Sequence, residues 1–151
     1  MRGAATVDAF VLDASIAGAW LLPEETSEAA DRLFADLRAS LLTPHAPDLW
    51  WWECSNLIAN AVSHARLSPD DALLAWSALD AIRTRVDLAT LQPAQSRACL
   101  ALAVDTGLSS YQAAYLWLAM SLKLPLLTQD TRLMQAASQR NVQVLHLQDL
   151  S

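Results

Sequence analysis

Asp13 closes an apolar run, Phe10-Val11-Leu12, and is followed by Ala14-Ser15. A second run, Leu124-Pro125-Leu126-Leu127-Thr128, ends just before another carboxylate, Asp130. Both runs read as strands that deliver an acid at the carboxyl end. In an open parallel sheet, ligands bind beyond that edge. Two acids meeting there describe a hard-cation site suited to phosphate chemistry. A third acid, Glu53, lies within Leu49-Trp50-Trp51-Trp52-Glu53-Cys54-Ser55-Asn56. Inside so apolar a helix, an acid either snorkels to water or lines a polar cavity. Asn56 and Asn60 follow at three and seven residues, so all three share one helical face. Such a stripe suits metal ligands with polar partners behind them; it equally suits a face that simply meets water. Asp13 and Asp130 also have plain readings, as a turn residue and a helix cap. Their joint placement at one sheet edge favours the metal site.

The elements that must position these acids follow from periodicity. Strand-like runs fall at 9–12, 40–43, 86–91, 125–128 and 142–147, the second being the weakest. Between them, apolar residues recur with helical period. Helices are expected over 15–22, stopped by Pro23, then 26–39, 47–65, 68–83, 93–105, 110–122 and 130–139. Ser27 is a cap for the second of these. Ser68-Pro69-Asp70-Asp71 reads as a cap, a first-turn proline and two acids facing the helix dipole. Strands separated by helices imply right-handed crossovers. The expected architecture is α/β, a single domain over residues 1–151 with a central parallel sheet of about five strands and helices on both faces. No linker-like stretch or internal repeat divides the chain.

Composition narrows the function classes. The 151 residues are 54% hydrophobic with 3 glycines and 6 prolines, which fits one sizeable core and excludes low complexity. A net charge of −6 gives no general attraction for nucleic acid, so work on RNA needs metal ions or a local basic patch. Arg32, Arg38, Arg66, Arg83, Arg85, Arg97, Lys123, Arg132 and Arg140 are scattered. Arg132, beside Asp130, is best placed to touch a substrate phosphate; the plain alternative is a solvated surface arginine. Cys54 and Cys99 fall in helix-like segments and read as buried free thiols of a reducing compartment. No CxxC pair is present, and His45, His64 and His146 have no zinc spacing. Met1-Arg2-Gly3 does not open a signal peptide, and no apolar run reaches the ~20 residues of a membrane span. A cytoplasmic protein with no membrane partner is expected.

Four blocks, taken in order, resemble a known family. Val11-Leu12-Asp13-Ala14-Ser15, continued by Ala19-Trp20-Leu21-Leu22-Pro23-Glu24-Glu25, resembles the opening motif of PIN domains, especially VapC-type toxins of bacterial toxin–antitoxin pairs. Thr43-Pro44-His45-Ala46-Pro47-Asp48-Leu49, leading to Glu53 and Asn56, resembles the second block. Ser109-Ser110-Tyr111-Gln112-Ala113-Ala114-Tyr115-Leu116 resembles the third, and Leu126-Leu127-Thr128-Gln129-Asp130-Thr131-Arg132-Leu133 the fourth. The resemblance implies an endoribonuclease dependent on Mg²⁺ or Mn²⁺, in which Asp13, Glu53 and Asp130 bind the metal and carry catalysis. Ser15 and Thr128 would then orient water or phosphate, or serve as turn and cap residues. The third block departs from the family pattern Tyr-Asp-Ala, reading Tyr111-Gln112-Ala113. A glutamine offers a hard cation a carbonyl oxygen without charge, one methylene further out. Gln112 is therefore expected as a weaker fourth contact. The alternative it raises is a catalytically weakened module that works by binding protein or RNA.

Trp50, Trp51 and Trp52 are consecutive, and at ~100° per residue they cannot share one helical face. At least one should stand outside the core as an interface residue. The resemblance implies two protein partners, a second copy forming a homodimer and an antitoxin helix. Trp20, Trp76 and Trp117 read as core. With cations so few, the aromatics do not read as a base-stacking platform. A nucleotide-binding Rossmann fold is disfavoured because no Gly-rich loop follows the first strand. A receiver-type phosphoacceptor is disfavoured because Lys123 precedes a late strand instead of following one.

Overall fold

A computed structural model describes residues 7–150. The chain runs β1 (Ala9–Leu12), a 3-10 turn (Ala14–Ala17) continuing into α1 (Gly18–Leu21), α2 (Glu28–Arg38), β2 (Thr43–Pro47), α3 (Leu49–Ser63) and α4 (Pro69–Arg83). It continues with β3 (Asp87–Ala89), α5 (Pro93–Thr106), α6 (Ser110–Leu122), β4 (Leu126–Leu127), α7 (Thr131–Gln139) and β5 (Val144–Leu145). The five strands form one sheet in the order β3-β2-β1-β4-β5, and every pairing is parallel. The chain lays strands outward from β1 in one direction, then returns to β1's other side for β4. That reversal opens a crevice beyond the carboxyl ends of β1 and β4.

The apolar runs are continuous because the central strands are covered on both faces. Phe10, Val11, Leu12, Leu126 and Leu127 are all fully buried. The helix starts follow the expected capping chemistry. Ser27 accepts the Ala30 N–H, and Ser68 accepts the Asp71 N–H. Ser109 and Gln112 form a reciprocal capping box at the start of α6. Both cysteines are free and buried. Among the described residues, no helix is long and apolar enough to cross a membrane.

Three expectations need correction. The second strand is Thr43–Pro47, not 40–43, and α3 accordingly starts at Leu49 instead of 47. Prolines argue against an internal strand because they cannot donate to the ladder. Here both fall where a donor has little to meet. Thr43 N–H bonds Asp8 O of β1's approach, and Asp48 N–H bonds Ala89 O of β3, so donors alternate between the two neighbours. Pro44 points toward β3 before that strand begins, and Pro47 points toward β1 at its last residue. The ladder between β1 and β2 ends there, immediately before Asp13. The second correction is that 15–22 is not one helix but a 3-10 turn followed by one α-turn. The third is Trp76, which is 45% exposed and packs edge-on against Trp51 instead of entering the core. Trp20 and Trp117 are half-buried against the core.

Candidate active site

Asp13 leaves the end of β1, where the sheet hands the chain to the 3-10 turn. It is 7% exposed, one of only two polar side chains buried in the described residues, the other being Thr128. Its Oδ2 accepts two hydrogen bonds of 2.6 Å, from Ser15 Oγ and Thr128 Oγ1. Backbone amides set the direction of those hydroxyls. Gln129 N–H donates to Ser15 Oγ at 2.9 Å, and Asp130 N–H donates to Thr128 Oγ1 at 3.0 Å. Each hydroxyl oxygen takes a backbone proton and turns its own toward Asp13. The segment after β4 is thereby tied to the end of β1.

Asp130 caps α7, its Oδ1 accepting from the N–H groups of Arg132 and Leu133 at 2.9 and 3.2 Å. The cap reading holds, and the same residue also lines the pocket described next. Glu53 comes from the second turn of α3, half-buried, and its Oε1 accepts the Tyr115 hydroxyl at 2.6 Å. Asp13, Ser15, Glu53, Asn56, Gln112, Tyr115 and Asp130 all line one cavity of about 260 Å³. Three carboxylates from three separate segments thus share one wall at the switch point of the sheet.

Asp13 and Glu53 both resist ionisation. Burial pushes the Asp13 carboxyl up, against its two hydroxyl donors, and the Asp130 charge pushes it further. Burial likewise raises Glu53, opposed by the Tyr115 hydrogen bond and reinforced by Asp13 and Asp130. Tyr115 itself is held far above its usual value, first by burial and then by Glu53, so its hydroxyl remains a donor. Its role was missed in the sequence. The available signal was its spacing, three residues beyond Gln112 on the same face of α6.

The sequence model of the PIN domain matches residues 10–139, most of the chain. The chain belongs to the PIN-domain family. The PIN fold extends to a solved relative, "Crystal Structure of PAE2754 from Pyrobaculum aerophilum", at TM-score 0.70 and 24% identity, over 98% of this chain and 95% of that one. At that identity the likeness establishes the fold alone. No curated protein matches the chain. PIN domains are in general divalent-metal-dependent nucleases.

In this PIN domain the donor set has the right chemistry for a hard cation. Mg²⁺ takes oxygen ligands, keeps several waters and is commonly held by one or two carboxylates. The pocket supplies three, two of them raised by burial and repulsion that a cation would relieve. Among the described residues, however, no three acid, histidine or cysteine side chains stand close enough to cage one ion. The fit is therefore to a hydrated cation held by part of the set.

Gln112 departs from the expected weak contact. Its Oε1 accepts the Ser109 N–H at 2.9 Å as half of the capping box. Its Nε2 donates to Asp130 Oδ2 at 2.6 Å. A backbone donor on one side and a carboxylate on the other fix the amide orientation. The oxygen expected to face a metal is committed to the helix cap, and the nitrogen faces the acid. Arg132 also differs from expectation. Its Nη2 donates to Gly107 O at 2.6 Å, so it braces the end of α5 and does not line the pocket. Asn56 lines the pocket, but Asn60 does not. Of the interface tryptophans, Trp50 is fully buried, its indole N–H without an acceptor among the described residues. Trp51 is half-buried between Trp76 and the Arg83 guanidinium, 4.7 Å above its ring. Only Trp52, 73% exposed, is left to meet a partner.

Proposed function

We propose that this chain is a metal-dependent endoribonuclease of the VapC toxin type, hydrolysing RNA phosphodiester bonds with Mg²⁺ or Mn²⁺. One observation carries the reading: Asp13, Glu53 and Asp130 converge on a single pocket at the sheet's switch point. Such a divalent ion supplies Lewis-acid polarisation of the phosphate and a lowered pKa for attacking water. The protein's part is to hold the acids. Ser15 and Thr128 fix Asp13, Tyr115 fixes Glu53, and the first turn of α7 fixes Asp130. Asn56 adds an uncharged amide to the lining of the same pocket. The two buried free thiols favour a reducing, cytoplasmic setting. Cleavage of single-stranded RNA, dependent on Mn²⁺ or Mg²⁺ and reduced at least ~100-fold in Asp13→Asn, is the expected result. RNA left intact with either ion, together with no Mn²⁺ binding by calorimetry, sinks the proposal.

A second reading is favoured by Gln112 and by an apolar cleft. Gln112 brings an uncharged donor to the acid pocket. Between α3 and α4, Ile58, Val62, Leu73 and Trp76 line an almost wholly nonpolar cavity of about 480 Å³. A weakened PIN module would use such a surface for a second copy or an antitoxin helix. Light scattering of the purified chain, alone and with its genomic neighbour's product, separates the cases. A monodisperse monomer with or without that product removes this reading.

A further inference from the structure

Two exposed aromatic side chains line a cavity beside the acid pocket. Trp52 of α3 is 73% exposed and Tyr111, in the first turn of α6, is 64% exposed. Together with Leu49, Glu53 and Asn56 they line a cavity of about 450 Å³. Glu53 and Asn56 also line the carboxylate pocket, so the two spaces share a wall. Neither ring belongs to the close ring pairs among the described residues, Trp20–Phe34 and Trp51–Trp76.

We infer that Trp52 and Tyr111 form a nucleobase-binding cleft that seats an unpaired base of single-stranded RNA beside the bond cleaved at Asp13, Glu53 and Asp130. This rests on the nuclease reading for what happens next door, but the cleft is defined by its own geometry. Every nucleobase has a π-face, and stacking on aromatic side chains is the usual means of holding single strands without reading sequence. The volume is within the ~300–1,000 Å³ of small-ligand sites. Asn56, on the shared wall, presents an amide that can donate to and accept from a base edge. A chain of charge −6 with scattered arginines draws little affinity from phosphate contacts, so uncharged contacts must supply it. A protein partner would favour the almost wholly apolar α3–α4 cleft, which has no acid in its lining, over a cleft lined by Glu53.

The test is fluorescence anisotropy with a labelled single-stranded oligouridine and an abasic oligomer of equal length. Calcium is present, and the probe is verified intact on a gel. The oligouridine should bind at least ~10-fold tighter than the abasic strand. Trp52→Ala and Tyr111→Ala should each lower oligouridine affinity by about tenfold without moving abasic binding, while Trp52→Phe retains most of it. Unchanged oligouridine affinity in both alanine variants overturns the cleft. So does a shift from dimer to monomer in Trp52→Ala with RNA binding intact, which would make the surface a self-interface. Cleavage is scored separately with Mn²⁺. Base-dependent binding without cleavage defeats the nuclease reading and leaves the cleft standing; cleavage with full binding in Trp52→Ala and Tyr111→Ala does the reverse.

Discussion

At the scale of residues, the site is a set of acids held under mutual strain. Asp13 is the clearest case, a buried carboxylate with raised affinity for its proton. Well below the ordinary carboxylate value of 3.8, folded and unfolded chains both bind that proton. Above it, the unfolded chain releases the proton first, so this residue's contribution to stability falls as pH rises through the raised folded value. Glu53 acts in the same sense above its ordinary 4.5. In metal-free protein, Asp13→Asn should therefore raise Tm at neutral pH. The difference from wild type should shrink as pH falls toward 4. Thermal unfolding in EDTA across pH 4–8 checks this; a gap independent of pH counts against it. Adding Mn²⁺ at neutral pH should raise the wild-type Tm and leave Asp13→Asn nearly unmoved. Gln112 gives a second prediction. Gln112→Glu keeps the reach of the capping box while setting a charge against Asp130, so metal-free Tm should fall and Mn²⁺ affinity rise by about tenfold. Calorimetry showing unchanged Mn²⁺ affinity would mean this position faces away from the ion.

At the scale of elements, helix starts matter as much as strand ends. Ser109 caps α6 and, through the reciprocal bond, anchors the Gln112 amide that reaches Asp130. Ser109→Ala should cost about 1 kcal/mol, or about 2–4 °C in Tm. The Ser109 backbone N–H that holds the Gln112 amide survives this change, so Mn²⁺ affinity should hold, as it should in Ser68→Ala at α4, which costs similar stability; calorimetry showing weaker Mn²⁺ binding in Ser109→Ala alone would count against this. Much of this arrangement was legible beforehand. The apolar runs before Asp13 and Asp130 specified two central strands, and Ser27 and Ser68 marked helix starts that the structure has. β2 was misplaced because Pro44 and Pro47 argue against a strand unless the neighbouring strands' ends are known. The commitment of Gln112's nitrogen was out of reach for a related reason. A Ser-x-x-Gln box can be read locally, but the Asp130 that takes the amide proton is eighteen residues away. Exposure of Trp76 depended on how α4 lies against α3, which no single-helix periodicity records.

At the scale of the whole molecule, acidity governs how a substrate approaches. With charge −6 and Arg132, Arg140 and Arg66 engaged with Gly107, Asp105 and the Glu24–Glu25 pair, few cations remain to meet phosphates. RNA binding should therefore weaken only slightly with KCl, with a log–log slope of about −1 or shallower, since each phosphate contact on a single strand contributes roughly 0.7. A slope near −4 in anisotropy titrations would reveal a basic surface that the fold does not display. The sheet adds a constraint of its own. β2 carries α3 and hence Glu53, while β1 carries Asp13, so the relative height of the two acids is the register of one strand against the other. Sliding β2 backward would set the Pro47 ring against a β1 carbonyl that now receives an N–H, and sliding it forward would do the same for Pro44 at β3. Pro44 and Pro47 thus serve as a pair of end stops, and the spacing of the acids is a length measured off in proline.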